Sequence, residues 1–188
     1  MPIFFISQAM AQTDIVGAYN STHSGRNASL TLSKFLTQKH EIGGGVRINF
    51  NRHTLPDDQQ HIFKKRLFTT KPLHHFGVHG FYHRHIFPQL KNVKPFLFYD
   101  TQLTFSTLRI ISRSDGDIDF LGPFTWLEQN IGVGFKAEIA SNWFIQQKIG
   151  YGTSFIMGYE DRLITINHEW FNLEFGYLLN VGIGYRFN

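Results

Sequence analysis

Residues 171–187 alternate without a break. Phe171, Leu173, Phe175, Tyr177, Leu179, Val181, Ile183, Tyr185 and Phe187 take every second position, with Asn172, Glu174, Gly176, Leu178, Asn180, Gly182, Gly184 and Arg186 between them. Successive strand side chains point to opposite faces, so a period of two over 17 residues dictates a strand. Its length is about three times that of an average strand. One face is wholly apolar and the other is mostly small or polar. That combination argues against an ordinary sandwich.

The same pattern recurs upstream. Ile42, Gly44, Val46, Ile48 and Phe50 alternate with Gly43, Gly45, Arg47 and Asn49. Leu97, Tyr99, Leu103 and Phe105 oppose Phe98, Asp100, Gln102 and Thr104, and Ile131, Val133 and Phe135 oppose Gly132, Gly134 and Lys136. Ile145, Ile149, Tyr151, Phe155 and Met157 lie opposite Gln146, Lys148, Gly150, Gly152 and Ser154. Residues 28–36 and 74–85 repeat the signature, and a weaker segment spans 13–21. About eight strands result. Tight connections fall near Gln38-Lys39, Gln89–Lys94 and Ala140-Ser141-Asn142. Long polar ones are expected at 53–71, 109–124 and 158–170, with a shorter one at 22–27. Short and long connections alternate, as in an all-β, antiparallel up-and-down barrel. No helix-period segment competes, and no run of about 18 apolar residues offers a transmembrane helix.

Either face could in principle be the interior, and packing decides between them. An eight-stranded barrel is just wide enough for side chains to fill it. Leu, Ile, Phe and Tyr from eight long strands would not fit. The glycines at 43, 45, 132, 134, 150, 152, 182 and 184 sit on the polar face, where small residues relieve crowding. The polar face is therefore the lumen and the apolar face meets lipid, which defines an eight-stranded transmembrane β-barrel. Aromatic residues near strand ends fit two interfacial belts. Phe35, Phe87, Phe96, Trp143, Tyr185 and Phe187 fall at the short-turn end, and Trp126, Phe155, Trp170 and Phe171 toward the long loops. The net charge of +4 is spread over scattered bases, which disfavours nucleic acid. The absence of cysteine excludes disulfides and thiolate metal sites.

The tail Asn180-Val-Gly182-Ile-Gly-Tyr185-Arg-Phe187 resembles the C-terminal assembly signal of outer-membrane barrels, with one departure, Asn188 after the terminal Phe. The chain as a whole resembles small eight-stranded OmpA/OmpX-like barrels, especially those of Bacteroidota, in phrases such as KHEIGGGVRINF and WLEQNIGVGF. The resemblance implies insertion by the barrel-assembly machinery into the outer membrane of a Gram-negative bacterium. It also implies periplasmic termini, contact with outer-membrane lipid and lipopolysaccharide, and no particular chemistry. The start, MPIFFISQAMAQTD, is similar to the end of a secretory signal peptide cut after Ala9-Met10-Ala11. Residues 1–12 are then a signal remnant and 13–188 the barrel, the other reading being a hydrophobic N-terminal strand.

Four constellations could carry function. On the lumen face, Asp100, Glu128, Glu138 and Glu174 balance Arg47, Lys136, Lys148 and Arg186. Buried charges of balanced sign favour a mutually paired network, hence a plugged barrel rather than a pore. HHFGVHGFYHRH (74–85) carries five histidines, of which His75, His79, His83 and His85 share the lumen face, while Phe76, Val78, Tyr82 and Arg84 face lipid. His83 and His85 could chelate a metal with a third ligand such as Asp100, but no second histidine cluster supports this, so lumen lining is the simpler expectation and no cofactor is expected. Catalysis would require something like the lipid A deacylases of the PagL type. Their His-x-Ser-Asn pattern is missing, leaving only His23-Ser24 and His168-Glu169 as elements. Finally, FKKRLFTTK (63–71) gathers Lys64, Lys65, Arg66 and Lys71 in a long loop, suited to lipopolysaccharide phosphates or to solvent. The expected role is non-enzymatic: structural, surface-interacting or adhesive through the outer loops. The alternatives are a lipid A-modifying hydrolase or a narrow channel.

Overall fold

Alternation in the sequence becomes alternation in burial throughout the computed structural model. The strands are β1 (Thr13–Thr22), β2 (Gly25–Phe35), β3 (His40–Asn49), β4 (His75–His85), β5 (Val93–Ser106), β6 (Arg109–Ser112), β7 (Ile118–Glu138), β8 (Trp143–Arg162) and β9 (Thr165–Phe187). The structure describes the backbone of residues 12–22, 25–50, 75–90, 92–106, 109–112, 118–162 and 165–187. Side chains are described for 12–22, 25–50, 76–90, 92–105, 125–155, 173 and 175–187. The N-terminal signal-like stretch up to residue 11 and the basic loop 63–71 lie outside the described residues.

Every neighbouring pair is antiparallel. The order is β5-β4-β3-β2-β1-β9-β8-β7-β6, and β5 also pairs with β7, which closes the sheet. β6 is not an extra stave. Phe105 faces Thr125 and Arg109 faces Leu121, so β5 and β6 follow one unbroken register along β7. The barrel therefore has eight staves and runs up and down. Thr13 pairs with Phe187, which brings both ends of the barrel chain to the short-turn rim. At the opposite rim Gly25 opens β2 with φ of 118°, a conformation that L side chains rarely adopt.

Two of the expected long loops are corrected. Instead of a loop at 109–124, β6 and β7 form a hairpin, with Ser112 opposite Ile118. Instead of a loop at 158–170, β8 runs to Arg162, opposite Thr165 at the start of β9. Extended pairing satisfies the backbone of both segments, which a loop would have to satisfy by other means. Polarity there does not signal irregular backbone. Among the described residues the barrel is lopsided: β9 runs 13 residues past its last pair with β1, Leu178 to Thr22, so β6–β9 form a wall rising roughly 30 Å beyond the described end of β1.

The outer surface is apolar. Leu30, Val46, Phe76, Ile131, Ile149, Phe175 and Ile183 are among the exposed large side chains, and Ile131 and Phe175 reach 65% and 67% exposure. The interior is polar and charged, with Asp14, Glu41, Arg47, Asp100, Glu128 and Lys136 at most 1% exposed. A soluble barrel has the opposite polarity.

Candidate functional site

The lumen is built in three tiers, each linking side chains from several staves. Nearest the short turns, Asp14 (β1), Glu41 (β3), Lys136 (β7) and Arg186 (β9) converge. Lys136 Nζ donates to Glu41 Oε1 at 2.6 Å and to Asp14 Oδ2 at 2.8 Å. Arg186 donates from Nε to Asp14 Oδ1 at 3.0 Å and from Nη1 to Glu138 Oε1 at 2.8 Å. Glu138 sits half-exposed at the mouth and also binds Lys94 at 3.2 Å. The cations lie between aromatic plates. Lys136 Nζ is 4.9 Å from the Phe144 ring centre and 5.4 Å from that of Phe35, while Arg186 lies over the same two rings at 5.3 and 5.7 Å. Ring faces and carboxylates together replace the water these charges have lost.

Glu41 is the most heavily bonded carboxylate in this tier. Ser33 Oγ donates to its Oε1 at 2.5 Å beside Lys136. On the other side, His83 Nδ1 and His85 Nε2 lie 3.2 and 3.0 Å from Oε2. The His83 ring is clamped between Phe81 and Phe96, with centroids 4.1 and 4.2 Å away. The carboxylate paired with these two histidines is thus Glu41, not Asp100. Register explains the correction: Glu41 lies directly opposite His83 across β3–β4, whereas the residue opposite Asp100 on β4 is Phe81. Among the described residues, no group of three or more metal-ligating side chains meets the geometry of a metal site.

The middle tier belongs to Asp100 (β5) and Lys148 (β8). Lys148 Nζ donates to Asp100 Oδ2 at 2.7 Å, and Gln102 Nε2 donates to Oδ1 at 2.7 Å. Lys148 also lies 5.1 and 5.3 Å from the Phe81 and Phe98 rings. His79 stands beside this pair, its Nε2 bonded to Thr31 Oγ1 at 3.0 Å. The third tier is Arg47 (β3) with Glu128 (β7), 3.0 Å apart, and Arg47 also donates to Thr104. An amide chain completes it. Gln146 donates to Asn180, Asn180 to Asn20, and Asn20 to Asn27 and Ser29. Between the upper tiers is a cavity of about 10 Å³ lined by Asn20, Arg47, His79, Asp100, Lys148 and Asn180 among others, room for about one water.

Glycines make the tiers possible. A Cβ on Gly43 would strike the Phe81 ring, one on Gly134 that of Phe96, one on Gly150 that of Phe98, and one on Gly184 that of Phe144. Each of these four phenylalanines lies across a glycine of another stave, so rings fill a bore that would otherwise be overpacked. Two expected belt members, Phe35 and Phe96, are therefore corrected to lumen residues, 9% and 0% exposed. Trp126 likewise shares the alternation of Glu128 and Asn130 on the lumen side. Nearness to a strand end does not reveal which face a residue takes. Phe87, Trp143 and Phe187 do face outward, each 49% exposed.

Of the eight network residues expected from the sequence, Arg47, Asp100, Glu128, Lys136, Glu138, Lys148 and Arg186 lie in these tiers, and the side chain of Glu174 is outside the described residues. Sequence reasoning missed Asp14 and Glu41. Their signal was parity: Glu41 precedes Gly43, Gly45 and Arg47 on one face, and Asp14 precedes Val16, Ala18 and Asn20. The described lumen charges number five acids (Asp14, Glu41, Asp100, Glu128, Glu138) and five bases (Arg47, Lys94, Lys136, Lys148, Arg186). In the C-terminal motif, Asn180 and Gly182 face the lumen. Tyr185 receives a bond from Asn142 at 3.2 Å and meets Trp143 and Phe187 edge-on at 5.2 and 5.0 Å. His23-Ser24 and the side chains of His168-Glu169 are outside the described residues.

No protein-family model matches this chain, and no curated protein matches it. Among solved structures it is similar to a major outer membrane protein from Thermus thermophilus, with a TM-score of 0.58 and 11% identity over 94% of this chain and 99% of that one. It is also similar to the outer membrane protein AlkL determined in lipid bilayers, with a TM-score of 0.54 and 10% identity over 95% and 90% of the two chains. At these identities the likeness concerns the fold. It is the closed antiparallel barrel found in small outer-membrane proteins.

Proposed function

We propose that this chain is an integral outer-membrane barrel of a Gram-negative bacterium, of the OmpA/OmpX-like kind that its sequence resembles, with a sealed lumen and a non-enzymatic role at its surfaces. The observation that carries this reading is the inverted polarity: an apolar exterior around a bore filled by paired charges and aromatic plates. Such packing argues against a continuous aqueous path. Moving an ion through it would require breaking buried pairs, each costing about 3–5 kcal/mol when one partner is lost. What remains for function is the outside. The belt binds lipid, the hairpins β6–β7 and β8–β9 present a tall sheet for surface contacts or adhesion, and the Asn180–Phe187 motif suits the barrel-assembly machinery.

Outer-membrane fractionation with gel migration before and after boiling tests the architecture. The expected result is membrane recovery and faster migration of the unboiled form. A soluble protein that migrates identically in both states would overturn it. Planar-bilayer recordings should be silent, and steady conductance would favour the narrow channel. A mass shift of lipid A on expression would favour the hydrolase.

A further inference from the structure

The described bases fall into two sets. Arg47, Lys94, Lys136, Lys148 and Arg186 all lie in the lumen or its mouth and each holds a carboxylate. Arg26, Lys34, Lys39 and Arg84 are exposed on the outer wall or its turns. All five described carboxylates (Asp14, Glu41, Asp100, Glu128 and Glu138) are turned to the lumen, so among the described residues none is available to this second set.

Three of those four bases cluster. Lys34 is the penultimate residue of β2, Lys39 lies in the β2–β3 turn, and Arg84 is the penultimate residue of β4. His40, at the start of β3, pairs directly with Arg84 and bonds the outward Tyr82 hydroxyl through Nδ1 at 2.6 Å. Lys34 pairs with Thr13, which pairs with Phe187, so this cluster belongs to the rim that carries the barrel's termini. The rest of that rim differs. On β8 and β9 it presents Trp143, Tyr185 and Phe187, an aromatic anchor without charge. One end of the barrel is thus half aromatic and half basic. Beyond the bases, Leu36, Ile86 and Phe87 are 47%, 44% and 49% exposed in the turns, which holds this sector in the membrane interface instead of lifting it into water.

We propose that the Lys34–Lys39–Arg84 sector is a binding site for the phosphate of an anionic phospholipid in the periplasmic leaflet. This rests on the outer-membrane reading, with short turns toward the periplasm. Unpaired cations at the level of lipid headgroups find phosphate as their counter-charge, and Arg offers it a bidentate fork. Phospholipid is favoured over the lipid A phosphates because the sector is on the rim opposite the projecting β6–β9 wall.

Native mass spectrometry of the full chain, released from vesicles of equal phosphatidylglycerol and phosphatidylcholine, tests the site. Preferential retention of phosphatidylglycerol is expected, reduced about fivefold for each base replaced in Lys34→Gln, Lys39→Gln and Arg84→Gln, and unchanged by Arg26→Gln at the other rim. Equal retention of both lipids, a triple variant that keeps the preference, or an equal loss in Arg26→Gln would each overturn it. Displacement of phosphatidylglycerol by lipid A from the unmodified chain, but not from the triple variant, would overturn the choice of lipid. Gel migration before and after boiling is read on every sample. Failure of the unmodified chain to fold into any vesicle refutes the membrane reading itself, whereas a folded barrel without lipid preference refutes only the site.

Discussion

Phe144 lies across Gly184. The two residues face each other on β8 and β9, and a Cβ on Gly184 would collide with three carbons of the Phe144 ring. The ring is 1% exposed and forms one wall of the pocket holding Lys136 and Arg186. Gly184 is therefore a packing requirement of the charge cluster, two steps removed from any charge. Gly184→Val should lower stability by about 1–3 kcal/mol, the usual range for overpacking, and Phe144→Ala by about 3–5 kcal/mol. Gly17→Ala, with nothing within 4 Å of its added carbon, should be close to neutral. Urea titration of the vesicle-refolded barrel, followed by gel migration, ranks the three.

Lys136 holds two carboxylates and Lys148 holds one. Lys136→Met takes the shared cation from both Glu41 and Asp14, leaving Glu41 its two histidines and Asp14 its arginine, Arg186. It should cost more than Lys148→Met, which strands Asp100 alone. Both should fall at or above about 3 kcal/mol, since a lone buried charge is expensive. Pairing Lys148→Met with Asp100→Leu should recover most of the loss, because removing both charges removes the desolvation cost as well. Equal penalties at the two lysines would show that Lys136 is not shared between two carboxylates.

The lipid-facing assignment is tested at Ile131. This side chain is 65% exposed and lies between Gly132 and Asn130, both turned inward. On a water-soluble barrel, Ile131→Arg would change stability by less than about 0.5 kcal/mol. In a bilayer it should cost about 2–4 kcal/mol if the residue lies near the midplane. Refolding yield and urea midpoint in vesicles distinguish the two outcomes.

Alternation made the strands, the barrel and the inward glycines readable from the sequence, because period two is written directly into Phe171–Phe187. It fails where a feature depends on register. Nothing local says that Glu41 will face His83, or that the Phe96 ring will lie over Gly134, since each fact needs the offset between two strands. Asp14 is hard to pick out because β1 shows weak contrast, with Gly17 and Ser21 on its outward face. The projecting hairpins escape detection for a different reason. Their sequences, RIIS and IDFLGPF on β6–β7 and GYEDR on β8, break the strict apolar–polar alternation that marks the other strands.

The histidine stretch gives the last prediction. His83 and His85 both aim at Glu41 Oε2, so either ring can keep that oxygen supplied with a hydrogen bond, while only His83 also fills the gap between Phe81 and Phe96. His83→Ala removes a hydrogen-bonding group and a ring from the core and should cost about 3–5 kcal/mol, the range for losing a buried aromatic. His85→Ala, whose ring stacks on Phe35 at 5.2 Å but lies next to the turn, should cost less. His83→Phe restores the stack without the bond and should fall between the native chain and His83→Ala. Urea midpoints of the three variants decide it. An equal loss for His83→Phe and His83→Ala would mean that the bond to Glu41, and not the aromatic stack, fixes this residue in the lumen.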